Sequence, residues 1–408
     1  MSHPVRNLMA RNAIWRTQVT CAVLVACGSA PALAQTATAR AAFARELRDS
    51  IESVLRVARA DSAFPGAYAL VGDSRGVLAE FGVGHIDWKR SPRPTERTLW
   101  DLASLTKVIG TTTALAQLIE QGRVQVDSPV QHYVPDWRGP GKERVTVRML
   151  LTHTSGLPAF EPYDHVTHRP DSIATLLFET PLQFTPGDTM VYSDIGAFMM
   201  GQVIEHVSHE TIDVYFQHHI FGPLKMHDTR YNPPRTQWWR VAPTEFDSLR
   251  GGLVRGKVHD ERAYYLGGVA AHAGLFSTAA DLSRFARMLL NGGELDGVRI
   301  LRPETVARFT TYADSGRSNR ALGWEKAPAS WAGDLMSSRA FGHTGFTGTS
   351  IAIDPEAGIY VILLSNRVNP TRANPRIPAV RRRLANAVMS VVREHRAPTS
   401  NADTSHQR

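Results

Sequence analysis

The chain has 408 residues, of which 43% are hydrophobic and 21% are charged, and its formal net charge is +8. This composition is that of a globular protein with room for one large core or two, which excludes a collagen, a coiled coil and a wholly disordered chain. No concentrated run of Lys and Arg is interleaved with aromatic residues, so the positive charge does not indicate nucleic-acid binding.

Residues 1–34 have the pattern of a secretory signal peptide. They carry three arginines and no acid, then an apolar run, and then an A-x-A cleavage site that ends at Ala34. We expect the mature chain to begin at Gln35 and to reside in the periplasm. A second interpretation stays open, because residues 24–28 resemble a lipobox, in which Cys27 is acylated and attaches the protein to a membrane.

The next segment predicts a helix, a hairpin and a second helix. Apolar residues at helical spacing predict an amphipathic helix over residues 41–59. Two strand-like runs, 66–72 and 76–84, are separated by a three-residue turn and predict an antiparallel hairpin. Helical spacing returns over residues 104–121, where Gly110 and the threonines after it favour close packing over helix propensity.

Beyond residue 121 the pattern is irregular and helical before it returns to strands. Pro and Gly residues interrupt residues 129–141, which therefore do not form part of a sheet. The later patterns predict helices at 145–151, 195–207, 212–221, 281–291 and 376–392, and strands at 342–349, 350–354 and 360–365.

This order of elements predicts an α/β fold of the α+β type. An antiparallel sheet built from both ends of the chain is flanked by helices, and a mostly helical region is inserted between its halves. We expect a single domain over residues 35–396, with a sheet subdomain at about 35–103 and 265–396 and a helical subdomain at about 104–264. The polar composition of residues 397–408 predicts a disordered tail.

The stretch Ser104-Leu-Thr-Lys107 opens the second predicted helix and is the first candidate for chemistry. Residues three apart share one helix face, so the hydroxyl and the amine are expected side by side. The first turn of a helix also presents free N–H groups that favour an oxyanion. Taken alone, the pattern also fits a capping serine followed by a solvated lysine.

Two further short motifs support Ser104. Tyr192-Ser-Asp194 precedes a predicted helix, and His343-Thr344-Gly345 lies on a glycine-rich strand along which a substrate backbone can lie. Each motif alone fits a structural role, with Tyr192 as a core aromatic and His343 as one of 16 histidines. Their occurrence together and in this order points to one catalytic cleft.

The set resembles the serine β-lactamase and penicillin-binding protein superfamily, in the branch of class C β-lactamases, D-Ala-D-Ala carboxypeptidases and related esterases. That superfamily carries S-x-x-K, S-D-N and K-T-G motifs. The resemblance implies a β-lactamase/transpeptidase-like fold, with Ser104 as nucleophile, Lys107 as the partner in its deprotonation and Tyr192 as base or proton shuttle. It also implies an oxyanion hole formed by the N–H groups of Ser104 and Phe346, and a substrate-binding set that consists of Asp194, His343, Thr344, Gly345 and Phe346.

Two positions depart from the superfamily pattern. Asp194 stands where many relatives have Asn, and an ionised carboxylate can hold Lys107 by charge and shift the base role toward Tyr192. His343 stands where Lys is commoner, so positive charge near a substrate carboxylate depends on protonation of an imidazole. We therefore expect activity on carboxylate-bearing substrates to rise, relative to neutral esters, as the pH falls from about 8 to 6.

The sequence predicts an exported serine hydrolase that forms an acyl-enzyme with D-alanyl peptides or β-lactam-type amides. The alternatives are a carboxylesterase on the same scaffold and a non-catalytic envelope binding protein. The cysteines, Cys21 and Cys27, both lie in the predicted signal peptide, so thiol catalysis and thiolate metal sites are excluded after cleavage. We expect a small-molecule or peptidoglycan-peptide substrate, with no cofactor, metal or nucleic acid, and membrane attachment only through Cys27.

Overall fold

A computed structural model describes residues 30–89, 91–313 and 319–396. Most of the predicted signal peptide, including Cys27, and the predicted tail at 397–408 lie outside the described residues. Residues from Phe43 onward form one compact unit, and the residues before it form another. Among the described residues, no helix combines the length and the apolar character needed to cross a membrane.

The largest sheet is antiparallel and has six strands in the order β10, β11, β12, β13, β1, β2. Its strands come from both ends of the compact unit, as the sequence predicted. A second sheet has the order β3, β7, β4 and packs beside the start of the Ser104 helix. The strands are β1 Gly66–Asp73, β2 Gly76–Gly84, β3 Trp100–Asp101, β4 Arg230–Tyr231, β5 Phe246–Asp247, β6 Gly252–Leu253, β7 Leu275–Ser277, β8 Glu294–Leu295, β9 Val298–Arg299, β10 Glu325–Lys326, β11 Phe341–Thr344, β12 Ser350–Asp354 and β13 Ile359–Ser365.

Alternate residues of the central strands separate two hydrophobic layers, because successive side chains of a strand point to opposite faces. Leu70 pairs with Ile362, and both belong to the layer that the sheet shares with the helical region. Ala69 pairs with Leu363 in the other layer. Two helices, α1 and α10, cover that second layer with the buried side chains Leu47, Ile51, Leu55, Val380, Leu384 and Val388.

Helices fill the region between the two halves of the sheet, and most of the predicted ones are present with small shifts at their ends. Two differ more: the helix predicted at 41–59 begins at Ala30, and the one predicted at 212–221 is α-helical to Phe216 and continues as a π-helix, Gln217–Phe221. The α-helices are α1 Ala30–Ala60, α2 Thr113–Glu120, α3 Val147–Leu151, α4 Pro170–Glu179, α5 Asp194–Ser208, α6 Ile212–Phe216, α7 Glu261–Tyr265, α8 Ala279–Leu290, α9 Pro303–Thr310 and α10 Ile377–Glu394. Single 3-10 turns lie at Val130–His132, Lys142–Arg144 and Tyr163–His165, and a longer 3-10 helix lies at Arg235–Arg240.

The helix that follows Ser104 differs from the regular α-helix that the spacing predicted. Its first part, Lys107–Thr112, is a π-helix, and regular α-helical geometry begins only at Thr113. Such widened turns are rare and frequently occur at functional sites. The prediction of close packing is confirmed, since a Cβ on Gly110 would lie 2.3 Å from the ring of Phe216.

Candidate active site

Ser104 follows a strained turn between β3 and the π-helix. The residue before it, Ala103, has a φ of +46°, a left-handed conformation that non-glycine residues rarely adopt. Asp101 fixes this turn, because its carboxylate accepts from the Ala103 N–H at 2.8 Å and from the His259 N–H at 2.6 Å. Burial raises the pKa of Asp101, although the charge of His259 and both backbone donors oppose the rise.

The segment after β11 approaches this turn closely enough to require a glycine. A Cβ on Gly345 would lie 2.3 Å from the carbonyl oxygen of Leu102. Two hydroxyls complete the contact, since Thr347 Oγ1 donates to the Asp101 carbonyl at 2.7 Å and Thr349 Oγ1 donates to the Leu102 carbonyl at 3.0 Å. The His343-Thr344-Gly345 motif is thereby fixed beside the serine.

Lys107 is buried beneath Ser104, with 2% of its side chain exposed. Its Nζ lies 3.1 Å from Ser104 Oγ, 3.0 Å from the carbonyl oxygen of His272 and 2.7 Å from Asp194 Oδ1. An ammonium has three N–H donors, so these three acceptors match all of them. Burial alone would lower the pKa of Lys107, but the charge of Asp194 and the neighbouring Tyr192 outweigh it and raise the pKa. The arrangement makes Lys107 an ammonium that donates to Ser104.

Tyr192 lies on the loop before α5, with its ring between two histidines. The ring centroid is 4.5 Å from that of His153 and 5.9 Å from that of His343. Lys107 Nζ and Arg320 Cζ lie 4.8 Å and 5.2 Å from the same centroid. The hydroxyl is buried and makes no hydrogen bond of regular geometry to another described residue. A phenol in this position is available to a reacting group.

His343 does not supply the positive charge that the sequence suggested. Its imidazole is 3% exposed, and Nδ1 lies 2.9 Å from the carbonyl oxygen of Thr344. Burial lowers the pKa of His343 well below its ordinary value, and the charges of Arg320 and Lys107 lower it further. This environment favours the neutral imidazole and argues against the prediction that His343 becomes charged between pH 8 and 6.

Asp194, assigned to substrate binding from the sequence, is engaged within the protein. Oδ1 contacts Lys107, and Oδ2 accepts from Arg262 Nη2 at 3.3 Å. Burial would raise the pKa of Asp194, but the charge of Lys107 outweighs it and the pKa is lowered. The carboxylate is thus ionised and acts on the lysine. Phe346, in contrast, is half exposed at the mouth of the site.

Two cavities meet at Ser104 and share Tyr192 and Phe346. The first, here named the acidic cavity, has a volume of about 780 Å³ and includes Asp194 in its wall. Its other acidic lining residues are Asp164, Glu245, Asp247, Asp260 and Glu261. Among the described residues, no group of three or more His, Cys, Asp or Glu side chains is arranged to hold a metal ion.

The second, here named the basic cavity, has a volume of about 520 Å³. His343, Thr344 and Gly345 line it together with the positive side chains Arg320, Arg367 and Arg381. Sequence reasoning missed these arginines, because they lie outside the recognised motifs. The sequence held only one signal for Arg381, which is a charged residue within the apolar pattern of a predicted helix.

Arg381, on α10, is the arginine of this cavity that contacts the segment after β11 directly. It is 7% exposed, and Nη2 donates to the carbonyl oxygens of Gly345 and Thr349 at 2.7 Å each. No carboxylate of a described residue forms an ion pair with it. Burial lowers the pKa of Arg381 to about 9, and the neighbouring Arg367 contributes to the fall. Glu325 also lines the basic cavity and offsets part of this charge without forming an ion pair, so an anion bound there would add further compensation.

A family profile and a related sequence both place this chain in the same family. The family profile described as "Beta-lactamase" matches residues 51–385. The protein named "Putative D-alanyl-D-alanine carboxypeptidase" of Salmonella agona is 32% identical over 314 residues, which cover 69% of this chain and 72% of that protein.

Solved structures share the fold at lower identity. A penicillin-binding protein homologue from Caulobacter crescentus has a TM-score of 0.69 and 22% identity, over 85% of this chain and 97% of its own. EstCE1, described as a hydrolase with promiscuous acyltransferase activity, has a TM-score of 0.67 and 21% identity, over 85% of this chain and 99% of its own. The chain therefore belongs to the β-lactamase family and is a serine hydrolase with the mixed α/β fold of that family.

Proposed function

We propose that this protein is a D-alanyl-D-alanine-type carboxypeptidase, which cleaves an amide whose leaving group carries a free carboxylate. The basic cavity is the observation that supports this substrate class. It adjoins Ser104 and contains Arg381, a buried guanidinium with no carboxylate partner among the described residues. A carboxylate is the anion that a guanidinium binds with the best geometry.

The reaction begins with attack of Ser104 Oγ on the carbonyl carbon of the scissile amide. The new C–O bond forms as Tyr192, reacting as its phenolate, takes the hydroxyl proton and becomes a phenol, because Lys107 already holds a full set of protons. When the C–N bond breaks, Tyr192 returns this proton to the leaving amine. Water then hydrolyses the acyl ester, releases the acid product and restores the serine.

The backbone N–H groups of Ser104 and Phe346 would bind the oxyanion of the tetrahedral intermediate. Neither N–H donates to another described residue in the folded chain. The Ser104 N–H also lies at the start of a helix, where the peptide dipoles favour negative charge. The two N–H groups need not move during the reaction, because the close approach of Gly345 to Leu102 keeps the segment of Phe346 beside that of Ser104.

A carboxylesterase is the second candidate, and the rim of the acidic cavity favours it. Phe160, Phe246, Leu249 and Phe346 line this cavity and are among the exposed large hydrophobic residues of the protein. An apolar acyl group could be buried against them. On either substrate the acyl-enzyme chemistry is the same, and we propose that it takes place after export through the predicted signal peptide.

A substrate panel with Ser104→Ala tests this proposal. We expect the protein to release D-alanine from a D-Ala-D-Ala peptide faster than it hydrolyses nitrocefin or p-nitrophenyl butyrate. Intact mass should detect an acyl adduct on the native protein. Ser104→Ala should lose activity by about four to six orders of magnitude and form no adduct, because it lacks the nucleophile. Undiminished turnover by the alanine variant would refute the mechanism, and preference for the ester would select the second candidate.

A further inference from the structure

Lys107 is part of a closed ring of polar contacts that reaches well beyond the recognised motifs. Nζ contacts Asp194 Oδ1 at 2.7 Å, and Asp194 Oδ2 accepts from Arg262 Nη2 at 3.3 Å. The same Arg262 nitrogen donates to Asp260 Oδ2 at 3.1 Å, and Asp260 Oδ1 lies 3.0 Å from His272 Nε2. The carbonyl oxygen of His272 closes the ring by accepting from Lys107 at 3.0 Å.

Charges alternate around this ring, which lies in the wall of the acidic cavity beside Ser104. Burial would raise the pKa of Asp260, but the charge of His272 and the contacts with His272 and Arg262 hold it well below its ordinary value. Asp194 is ionised for the equivalent reason, through Lys107 and His272. Each carboxylate of the ring is therefore an anion between cationic or donor groups.

We propose that Asp260 and Arg262 are positioning residues for the reaction at Ser104, which act through Asp194 on the position and proton affinity of Lys107: Asp260 favours the ammonium form and Arg262 opposes it. This inference rests on the proposed function, since it assumes that Ser104 reacts and that Lys107 does not take its proton. It assigns a role to residues that no recognised motif contains. Neither residue touches the reacting atoms.

The two residues act in opposite directions. The anionic Asp260 balances the charge of Arg262 and favours the protonated forms of Lys107 and Tyr192. Neutralising Asp260 should therefore displace the titration of these two groups to lower pH. The cationic Arg262 competes with Lys107 for Asp194, so its neutralisation should displace the same titration to higher pH. A purely structural role would not produce opposite displacements, because loosening either contact weakens the same site.

The other ionisable groups near Lys107 do not change the expected opposite displacements of the pH profile. Burial is the largest cause that lowers the pKa of both His153 and His343 well below the ordinary value, which favours the neutral imidazoles. Arg320 faces the Tyr192 ring at 5.2 Å and is the same in every variant compared. Tyr192 faces the lysine directly, and the field of Asp260 or Arg262 acts on it in the same direction as on Lys107.

The test is the pH profile of kcat/KM for a p-nitrophenyl ester between pH 6 and 10.5. Asp260→Asn should move the whole profile to lower pH by about one unit, since removing a unit charge several ångströms away has an effect of that order. Arg262→Gln should move it to higher pH. Asn still caps α7, where Asp260 Oδ1 accepts from the Ala263 N–H at 2.9 Å, so the first variant changes charge while keeping the local fold.

Glu261→Gln is the matched control. Glu261 follows Asp260 and lines the same cavity, but it pairs with Arg372 outside the ring. Its neutralisation should displace the profile by less than about 0.3 unit. The ring inference would be overturned if both ring variants moved the profile in the same direction, or if neither moved it while thermal melting showed both folded. An active Ser104→Ala variant would instead overturn the proposed function, so the two failures are distinguishable.

Discussion

The acidic and basic cavities meet at one serine, but they differ in how their charges are satisfied. The carboxylates of the acidic cavity have cationic partners, such as Arg372 for Glu245 and Arg250 for Asp247. In the basic cavity, Arg367 and Arg381 donate instead to backbone carbonyls. The carboxylates of the acidic cavity are thus already paired, whereas Arg381 has no ion-pair partner among the described residues, and an unpaired buried charge is the better indication of a ligand.

The largest effect should come from removing charge on the basic side. Arg381→Gln should lower kcat/KM for a D-Ala-D-Ala peptide by about 10- to 100-fold relative to a neutral ester, because a hydrogen bond to a charged group is lost. The ratio of the two substrates is the measurement, since it cancels any general loss of activity. Arg381→Lys should recover part of the ratio by restoring the charge without the planar fork.

The matched substitution on the acidic side is Arg372→Gln. Arg372 pairs with Glu245 and Glu261, so its loss should lower activity on the peptide and the ester by a similar factor. If Arg372→Gln changed the ratio of peptide to ester activity as strongly as Arg381→Gln, the assignment of carboxylate recognition to the basic cavity would be wrong. A change of that ratio in Arg381→Gln alone would support the assignment.

A smaller effect is expected at the rim of the acidic cavity. Leu249 lies between β5 and β6 and is 83% exposed, so Leu249→Ser should leave thermal stability nearly unchanged. If acyl groups pack against this rim, the variant should lose about three- to tenfold in kcat/KM on a p-nitrophenyl hexanoate while retaining its activity on the acetate, as expected for one or two buried methylenes. Equal losses on the two esters would place the acyl chain elsewhere.

The residues that could be predicted from the sequence are those with local patterns. Ser104 and Lys107 are three residues apart, and helical geometry alone brings their side chains together at 3.1 Å. The strands β1 and β2 follow from a hairpin pattern, and both are confirmed. The predicted strand at 342–349 is shorter, since β11 ends at Thr344, where the close approach of Gly345 to Leu102 turns the chain.

The rest of the site depends on contacts between distant segments. Asp260 is a capping residue by local pattern, and only the fold brings it to His272 and Arg262. The three-stranded sheet that supports Ser104 has strands of two or three residues, which are too short for a recognisable alternation. The burial of His343 has the same origin, because it results from packing between distant segments and leaves no local pattern around residue 343.

The last prediction is that pH does not change the preference between carboxylate-bearing and neutral substrates. An unperturbed imidazole at His343 would gain charge between pH 8 and 6 and favour carboxylate-bearing substrates at the lower pH. Its pKa is instead lowered well below the ordinary value, because burial disfavours the charged ring and Arg320 and Lys107 repel a proton. The ratio of kcat/KM for a D-Ala-D-Ala peptide to that for a neutral ester should therefore stay flat between pH 8 and 6, and His343→Asn should leave it flat. The prediction would be contradicted if the ratio rose on acidification in the native protein but not in His343→Asn. Anion recognition would then belong to His343 and not to the arginines.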